Sequence, residues 1–255
     1  MVILGIVGSP RKNGLTNRLV DAALEGAQIR GASIKKIYLV DYEIQQFKGH
    51  GGSVEAYKHC PEALSQLCED ADAIILGAPV YWGDINGLTK DFMDTVRITT
   101  SSGKPAVGIA IAGGSGKGLL SGVQSIYHFF YHKQMRGIDP TPVSRFNLDE
   151  TLEQLKGSGG KLIELVAKAE PFPGTSWNDR WPEVLAYYTA IPYLENGPLD
   201  EFIMLAKQLI TISEGKDVTK AKTELDTALT LLTEGKRDEA ARHAVTSYQL
   251  LFYSS

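Results

Sequence analysis

The chain has 255 residues, 43% of them hydrophobic and 22% charged, with a formal net charge of −4 and a pI near 5.8, the profile of a globular protein large enough to bury a core. It advertises no basic face for nucleic acid and no apolar run near the ~18 residues of a membrane helix, and its start, "MVILGIVG", lacks the basic residues and cleavage site of a secretory leader. A cytoplasmic protein without nucleic-acid or membrane partners is expected, and two cysteines, Cys60 and Cys68, make no disulfide framework.

The first element is a continuous apolar run over 2–7, predicted as a strand. A helix over about 16–30 follows, with Leu19, Val20, Ala23, Leu24 and Ala27 on one face. "SIKKIYLV" alternates and reads as a strand at or near a sheet edge, and a loop containing "KGHGGS" leads to a helix over about 61–70. "AIILGAPV" is the third strand, followed by a helix over about 88–96. "AVGIAIAGG" is the fourth, followed by a helix over about 119–135. "TPVSRFN" is expected as the fifth, and a helix over about 150–169 closes the series.

Continuous apolar strands alternating with amphipathic helices imply an α/β fold, a doubly wound parallel sheet covered on both faces with right-handed crossovers. Five strands favour the order 2-1-3-4-5, which places a ligand crevice at the C-terminal ends of strands 1, 3 and 4. Beyond "EPFPGTSWND" the pattern changes. Residues 180–255 read as four successive helices, the last two a hairpin turning at "EGKRD" that resembles one tetratricopeptide unit, too few for a solenoid. The expected division is an α/β domain over 1–172 and a helical extension over 173–255.

Three loops fall on the three crevice strands. The first, "GSPRKNGLTN", joins strand to helix. A helix N-terminus offers unpaired N–H groups and partial positive charge to an anion; Ser9, Asn13, Thr16 and Asn17 can add hydrogen bonds, Arg11 a fixed charge, and Gly14 close backbone approach. The competing reading is an ordinary turn capped by Asn13 or Thr16. The second, "GAPVYWGDINGLTKDFMDTV", places Tyr81 and Trp82 at a strand end, a suitable wall for a flat heteroaromatic ring, with Gly83 admitting a backbone N–H to the ring edge. Alternatively the two aromatics cap the core or meet a partner subunit. The third, "GGSGKG", lacks the spacing of a P-loop and reads as a flexible lip over the same crevice, or as a plain glycine turn.

"GSPRKNGLTN" and "GAPVYWGDINGLTKDFMD" together resemble the flavodoxin-like NADPH-dependent FMN reductase family, and within it most closely the iron–sulfur flavoprotein branch. The resemblance is good over residues 1 to about 135 and does not extend past about 175. It implies bound FMN, its phosphate held by Ser9, Arg11, Asn13, Thr16 and Asn17. Its isoalloxazine would be lined by Pro79, Val80, Tyr81, Trp82 and Gly83, with Gly113 and Gly114 near the pyrimidine end. It also implies NADPH or NADH as co-substrate and a homodimer or homotetramer, for which "IYHFFYHK" and the tail are the candidate contacts. That branch carries a compact cysteine cluster where this chain reads "FKGHGGSVEAYKHC"; a four-iron cluster needs four thiolates, so no iron–sulfur cluster is expected.

No metal site is expected elsewhere. His50, His59, Cys60 and Cys68 match no zinc spacing, and His128 and His132 share a helix face in an aromatic setting that favours packing. The resulting reading is an FMN-dependent NAD(P)H oxidoreductase that reduces flavin, quinone or a similar small acceptor by ping-pong hydride transfer through flavin N5, with no acid–base side chain required. The alternatives are a flavodoxin-like electron carrier with a protein partner, or a non-enzymatic scaffold whose helical tail binds a partner.

Overall fold

The apolar runs become neighbouring strands of one sheet in a computed structural model that describes residues 1–49 and 52–253. Strands β1 (Val2–Val7), β2 (Ser33–Tyr38) and β3 (Ala73–Tyr81) are followed by β4 (Asp84–Ile85), β5 (Pro105–Ala112) and β6 (Arg136–Ser144). The order is β2-β1-β3-β5-β6, all parallel, with β4 folded back antiparallel on the end of β3. Setting that two-residue strand aside, this is the expected 2-1-3-4-5 arrangement of a flavodoxin-like sheet.

Helices cover both faces. α1 (Leu15–Ile29) and α6 (Leu148–Lys168) bury Leu19, Val20, Ala23, Leu155 and Leu162 against Ile3, Val7, Ile75 and Val107. On the other face lie α3 (Glu62–Asp70), α4 (Gly87–Thr95) and α5 (Leu119–His132), after the short α2 (Gly52–Ala56). Their Leu64, Phe92, Val123, Tyr127 and Phe130 pack on Leu4, Ile6, Ile74 and Leu76. α1 and α6 cross with their backbones touching: a Cβ on Gly26 would lie 1.9 Å from the Lys156 carbonyl oxygen, and one on Gly159 1.9 Å from that of Ala23.

Strand β6 departs from expectation. It begins at Arg136, before the residues "DPTP" that suggest a turn. Pro140 and Pro142 are tolerated because β6 is an edge strand and because the register slips by a bulge between Val107 and Ile109. The buried Tyr127 hydroxyl repairs the slip, accepting from the Gly108 N–H at 3.2 Å and donating to the Ile138 carbonyl.

The helical extension is two different things. α7 (Trp181–Thr189) belongs to the main core: Val184 and Tyr188 join Tyr127 and Phe130, and Tyr131 packs against Trp181 and Tyr188. The apolar part of the aromatic run "IYHFFYHK" is thus buried in the chain's own core, with Tyr131 against α7, while His128 and His132 remain exposed. α8 (Pro198–Ile212), α9 (Lys216–Thr233) and α10 (Arg237–Phe252) form a separate cluster. In it Leu205, Leu209, Leu225 and Tyr248 pack with Ala112, Leu119, Leu120 and Phe146 of the α/β part. α9 and α10 make the expected hairpin, turning through Gly235.

The glycine crossing makes a graded prediction. G26A or G159A drives a methyl into a carbonyl oxygen and should destabilise by about 1–3 kcal/mol. G157A, with open space around its Cβ, should be neutral or stabilising by ~0.5–1 kcal/mol; thermal melts of the three variants check the order.

A second prediction concerns acid. Glu69 accepts from the backbone N–H and hydroxyl of both Thr99 and Thr100 at 2.5–3.0 Å. Burial alone would raise its pKa; the bonds from Thr100 and then Thr99 outweigh that and lower it from 4.5 to about 2. The unfolded chain therefore binds more protons in that window, so the stabilisation is complete above pH 4.5 and lost as the pH falls through about 2. E69Q should lower the melting temperature at pH 7 and flatten its decline between pH 4.5 and 2, read by melts across that range.

Candidate functional site

The three loops converge at the ends of β1, β3 and β5. Gly8, following β1, donates its N–H to the Gly77 carbonyl at 2.8 Å, and its own carbonyl accepts from Asn86 Nδ2 at 2.9 Å. Thr89 Oγ1 donates to Asn86 Oδ1 at 2.7 Å and fixes that amide; both side chains are buried. Gly113 in the third loop approaches Leu15 at the start of α1, its Cβ position 3.7 Å from the Leu15 side chain.

At the first loop the N-cap of α1 is Gly14, with no side-chain cap. Neither Asn13 nor Thr16 caps the helix, so the ordinary capped turn is not what forms. Among the described residues the N–H groups of Leu15, Thr16 and Asn17 have no hydrogen-bond partner, nor do the side chains of Arg11, Asn13 and Thr16. Arg11 and Asn13 are exposed, Thr16 is buried, and buried Ser9 accepts from the Arg11 N–H at 3.1 Å while its own proton stays available. Gly14 has an ordinary negative φ; it is confined by the Arg11 carbonyl oxygen, 3.2 Å from its Cβ position. Asn17 differs from expectation. Its Oδ1 accepts from Lys36 Nζ (3.0 Å) and Tyr38 OH (2.9 Å) and its Nδ2 donates to Asp21 (2.9 Å), which commits the side chain to β2 and leaves only its N–H facing the loop's open end.

The second loop is a β-hairpin that the sequence reading did not find. Val80 pairs with Ile85 and Tyr81 with Asp84, leaving Trp82 and Gly83 at the turn with φ of 54° and 91°. Positive φ at both central positions is the mark of a type I′ hairpin turn, normally Asn-Gly. A tryptophan there is strained by about 1–2 kcal/mol and buries nothing: Trp82 is fully exposed and Tyr81 about half. The pair therefore does not cap the core. Pro79 and Val80, by contrast, underpin the hairpin. Pro79 is buried in register with Ile111, and the Val80 methyls lie 2.8 and 2.7 Å from the Cβ positions of Gly118 and Gly122.

In the third loop Gly113 and Gly114 are exposed, and Gly114 has open space on its Cβ side. The loop's far end is anchored by the extension. Gly118 and Leu120 donate their N–H groups to the Glu201 carboxylate at 2.9 and 3.1 Å, and Tyr248 OH donates to the Ser115 carbonyl at 2.9 Å. Asn86, Thr89, Glu201 and Tyr248 were all missed from sequence. "NGLT" carried a faint signal as a polar pair three apart at a helix start; Glu201 looks locally no different from Asp200, which closes on the Gly197 N–H of its own helix.

Of the histidines and cysteines weighed as metal ligands, Cys60 and Cys68 lie in the core, and burial raises both thiols, Cys68 to about 12. His59 packs edge-on against Phe47, and His50 lies outside the described residues. Among the described residues no three His, Cys, Asp or Glu side chains gather for an ion, and no helix is long and apolar enough to cross a membrane.

A flavodoxin-like sheet carries an uncapped helix start and an exposed aromatic turn at its strand ends, and the family matched by this chain is one of flavin-dependent oxidoreductases that use NAD(P)H. Residues 1–145 match the model of the NADPH-dependent FMN reductase family, and the chain belongs to it. An iron–sulfur flavoprotein of Methanocaldococcus jannaschii is 31% identical over 189 residues, 65% of this chain and 97% of that protein. Another, from Archaeoglobus fulgidus, is 32% identical over 126 residues, 46% of this chain and 57% of that protein. Among solved structures an NADH:FMN oxidoreductase superposes with a TM-score of 0.50 at 19% identity, over 70% of this chain and 93% of that one, a likeness of fold.

The strained turn predicts a gain on substitution. W82N restores the favoured Asn-Gly pair and loses no packing, so it should stabilise by about 1 kcal/mol in urea unfolding.

Proposed function

We propose that the crevice binds FMN and that the protein passes electrons from NADPH or NADH to flavin, quinone or a similar small acceptor in a ping-pong cycle. The observation that carries this reading is the open start of α1, with three backbone N–H groups that have no partner among the described residues and, in the loop leading to them, an Arg11 guanidinium that has none either. An anion there completes hydrogen bonds that the chain leaves unmade.

The residues present fit the group. Ser9, Arg11, Asn13 and Thr16 would hold the phosphate with the N–H groups of Leu15, Thr16 and Asn17. Asn17 thus contributes through its backbone, its side chain being committed to β2. Tyr81, Trp82 and Gly83 would flank the ring on one side, and Gly113 and Gly114 would meet its pyrimidine end, with Pro79 and Val80 supporting from below. When bound, FMN supplies hydride acceptance at N5 and onward electron transfer. The protein's part is to anchor the phosphate, present an aromatic wall and offer backbone N–H groups to the charge that reduction places on the ring. The iron–sulfur cluster named for the relatives is not proposed here: the whole chain has two cysteines, and both thiols are buried in the core. We read the protein as cytoplasmic and homo-oligomeric, with small molecules as its partners.

An absorbance spectrum before and after anaerobic addition of NADPH or NADH tests the reading. Flavin bands near roughly 370 and 450 nm, bleached by the nucleotide, are expected. A colourless chain that FMN does not reconstitute overturns it, and iron with a broad extra absorbance overturns the absence of a cluster. R11A should weaken FMN binding by about 1.5–3 kcal/mol, measured by fluorescence titration.

A further inference from the structure

The match to the family ends at residue 145, yet the third loop is completed by residues well beyond it. Glu201 of α8 is only 9% exposed, and both its carboxylate oxygens are used on the first turn of α5. Helix N-termini attract anions, and at α5 the anion is the chain's own side chain. Tyr248 of α10 holds the Ser115 carbonyl, and Leu205 of α8 sits 2.4 Å from where a Cβ on Gly116 would stand. Lys117 lies over the rings of Phe202 and Tyr248, 5.5 and 5.7 Å from their centroids. Two helices of the extension therefore grip the loop at 115–118 and at the start of α5.

The grip reaches the aromatic turn. Gly118, with φ of 90°, stands against Gly83, whose Cα is 2.6 Å from its Cβ position. Ser121, one residue after Leu120, donates its hydroxyl to the Gly83 carbonyl, and Ser125 donates to Asp84 at 2.7 Å. One end of α5 is thus held by Glu201 from above and itself holds the Trp82–Gly83 turn.

We infer that Glu201 and Tyr248 are positioning residues for the flavin ring: through the start of α5 they set where Gly113–Gly114 and the Trp82–Gly83 turn stand. The inference rests on the flavin reading above. It gives the extension a role in the site: Glu201 and Tyr248 bond the third loop and the start of α5 directly, Ser121 carries that hold to the Trp82–Gly83 turn, and among the described residues neither side chain bonds the loop assigned to the phosphate.

The test uses the full chain as wild type, E201Q and Y248F, with FMN titration, the visible spectrum of the bound flavin at saturation, steady-state turnover and thermal melting. E201Q keeps volume but turns one acceptor into a donor facing an N–H; Y248F removes one hydroxyl and keeps the ring. E201Q should raise the FMN dissociation constant about tenfold or more, as for a lost charged hydrogen bond, and Y248F about threefold. Both should alter the band shape of bound FMN, a signature that a change in melting temperature alone does not produce. Wild-type affinity and wild-type band shape in both variants overturn the inference, whatever the melting temperatures. Should E201Q fail to fold, Y248F decides by the same two readouts. A wild-type chain that takes up no FMN removes the flavin reading first and this inference with it, a result distinct from variants that bind FMN normally.

Discussion

The crevice depends on the backbone of Gly8. Its N–H and its carbonyl are both spent sideways, one on Gly77 of β3, the other on the Asn86 amide at the start of α4. These bonds are buried, where a missing partner costs more than in water, so the end of β1 cannot drift from the end of β3. Thr89 locks the amide, and a Cβ at position 8 would lie 2.0 Å from its hydroxyl, which leaves glycine as the residue that fits. The loop assigned to the phosphate and the loop assigned to the ring are therefore fixed relative to one another before any ligand arrives.

Two glycine-rich loops in this chain lead into helices, and their fates are opposite. At α1 the first-turn N–H groups are left open, and the loop before them carries an arginine whose guanidinium has no partner among the described residues. At α5 they are closed by a carboxylate from another part of the chain. Each arrangement satisfies the same electrostatics, and the difference lies in whether the anion is covalently part of the protein. That contrast explains why "GGSGKG", which looks the more like a nucleotide loop, is the less available of the two.

Much of the fold was legible in the sequence. The runs at 2–7, 73–80 and 106–112 are buried on both faces and so are continuously apolar, which announces central parallel strands. β6 runs from Arg136 to Ser144, earlier than the expected "TPVSRFN", and its position at the sheet edge, a property of the whole topology, is what makes Pro140 and Pro142 acceptable in it. The candidate site was legible where its signal is local: Arg11, Asn13 and the Tyr81–Trp82 pair stand out as residue types at strand ends, which is where the fold puts them. It was opaque where the decisive partner is far away. Asn17 looked like a phosphate ligand until Lys36 and Tyr38, 19 and 21 residues on, claimed its side chain. The partners of Glu201 are 83 and 81 residues distant, beyond any periodicity or spacing rule. The aromatic run on α5 reads locally as one surface, but its apolar members are buried in the core and Tyr131 packs on α7, partners that lie far along the chain.

The bond between Glu201 and the start of α5 also couples fluctuations. Free energy exchanged between two sites is reciprocal: whatever the docked α8 and α10 contribute to holding a ligand against the third loop, that ligand returns to the docking of α8 and α10. Loosening of the extension and loosening of the lip are thereby linked in free energy. A contact made at the crevice thus bears on the docking of helices some eighty residues further along the chain.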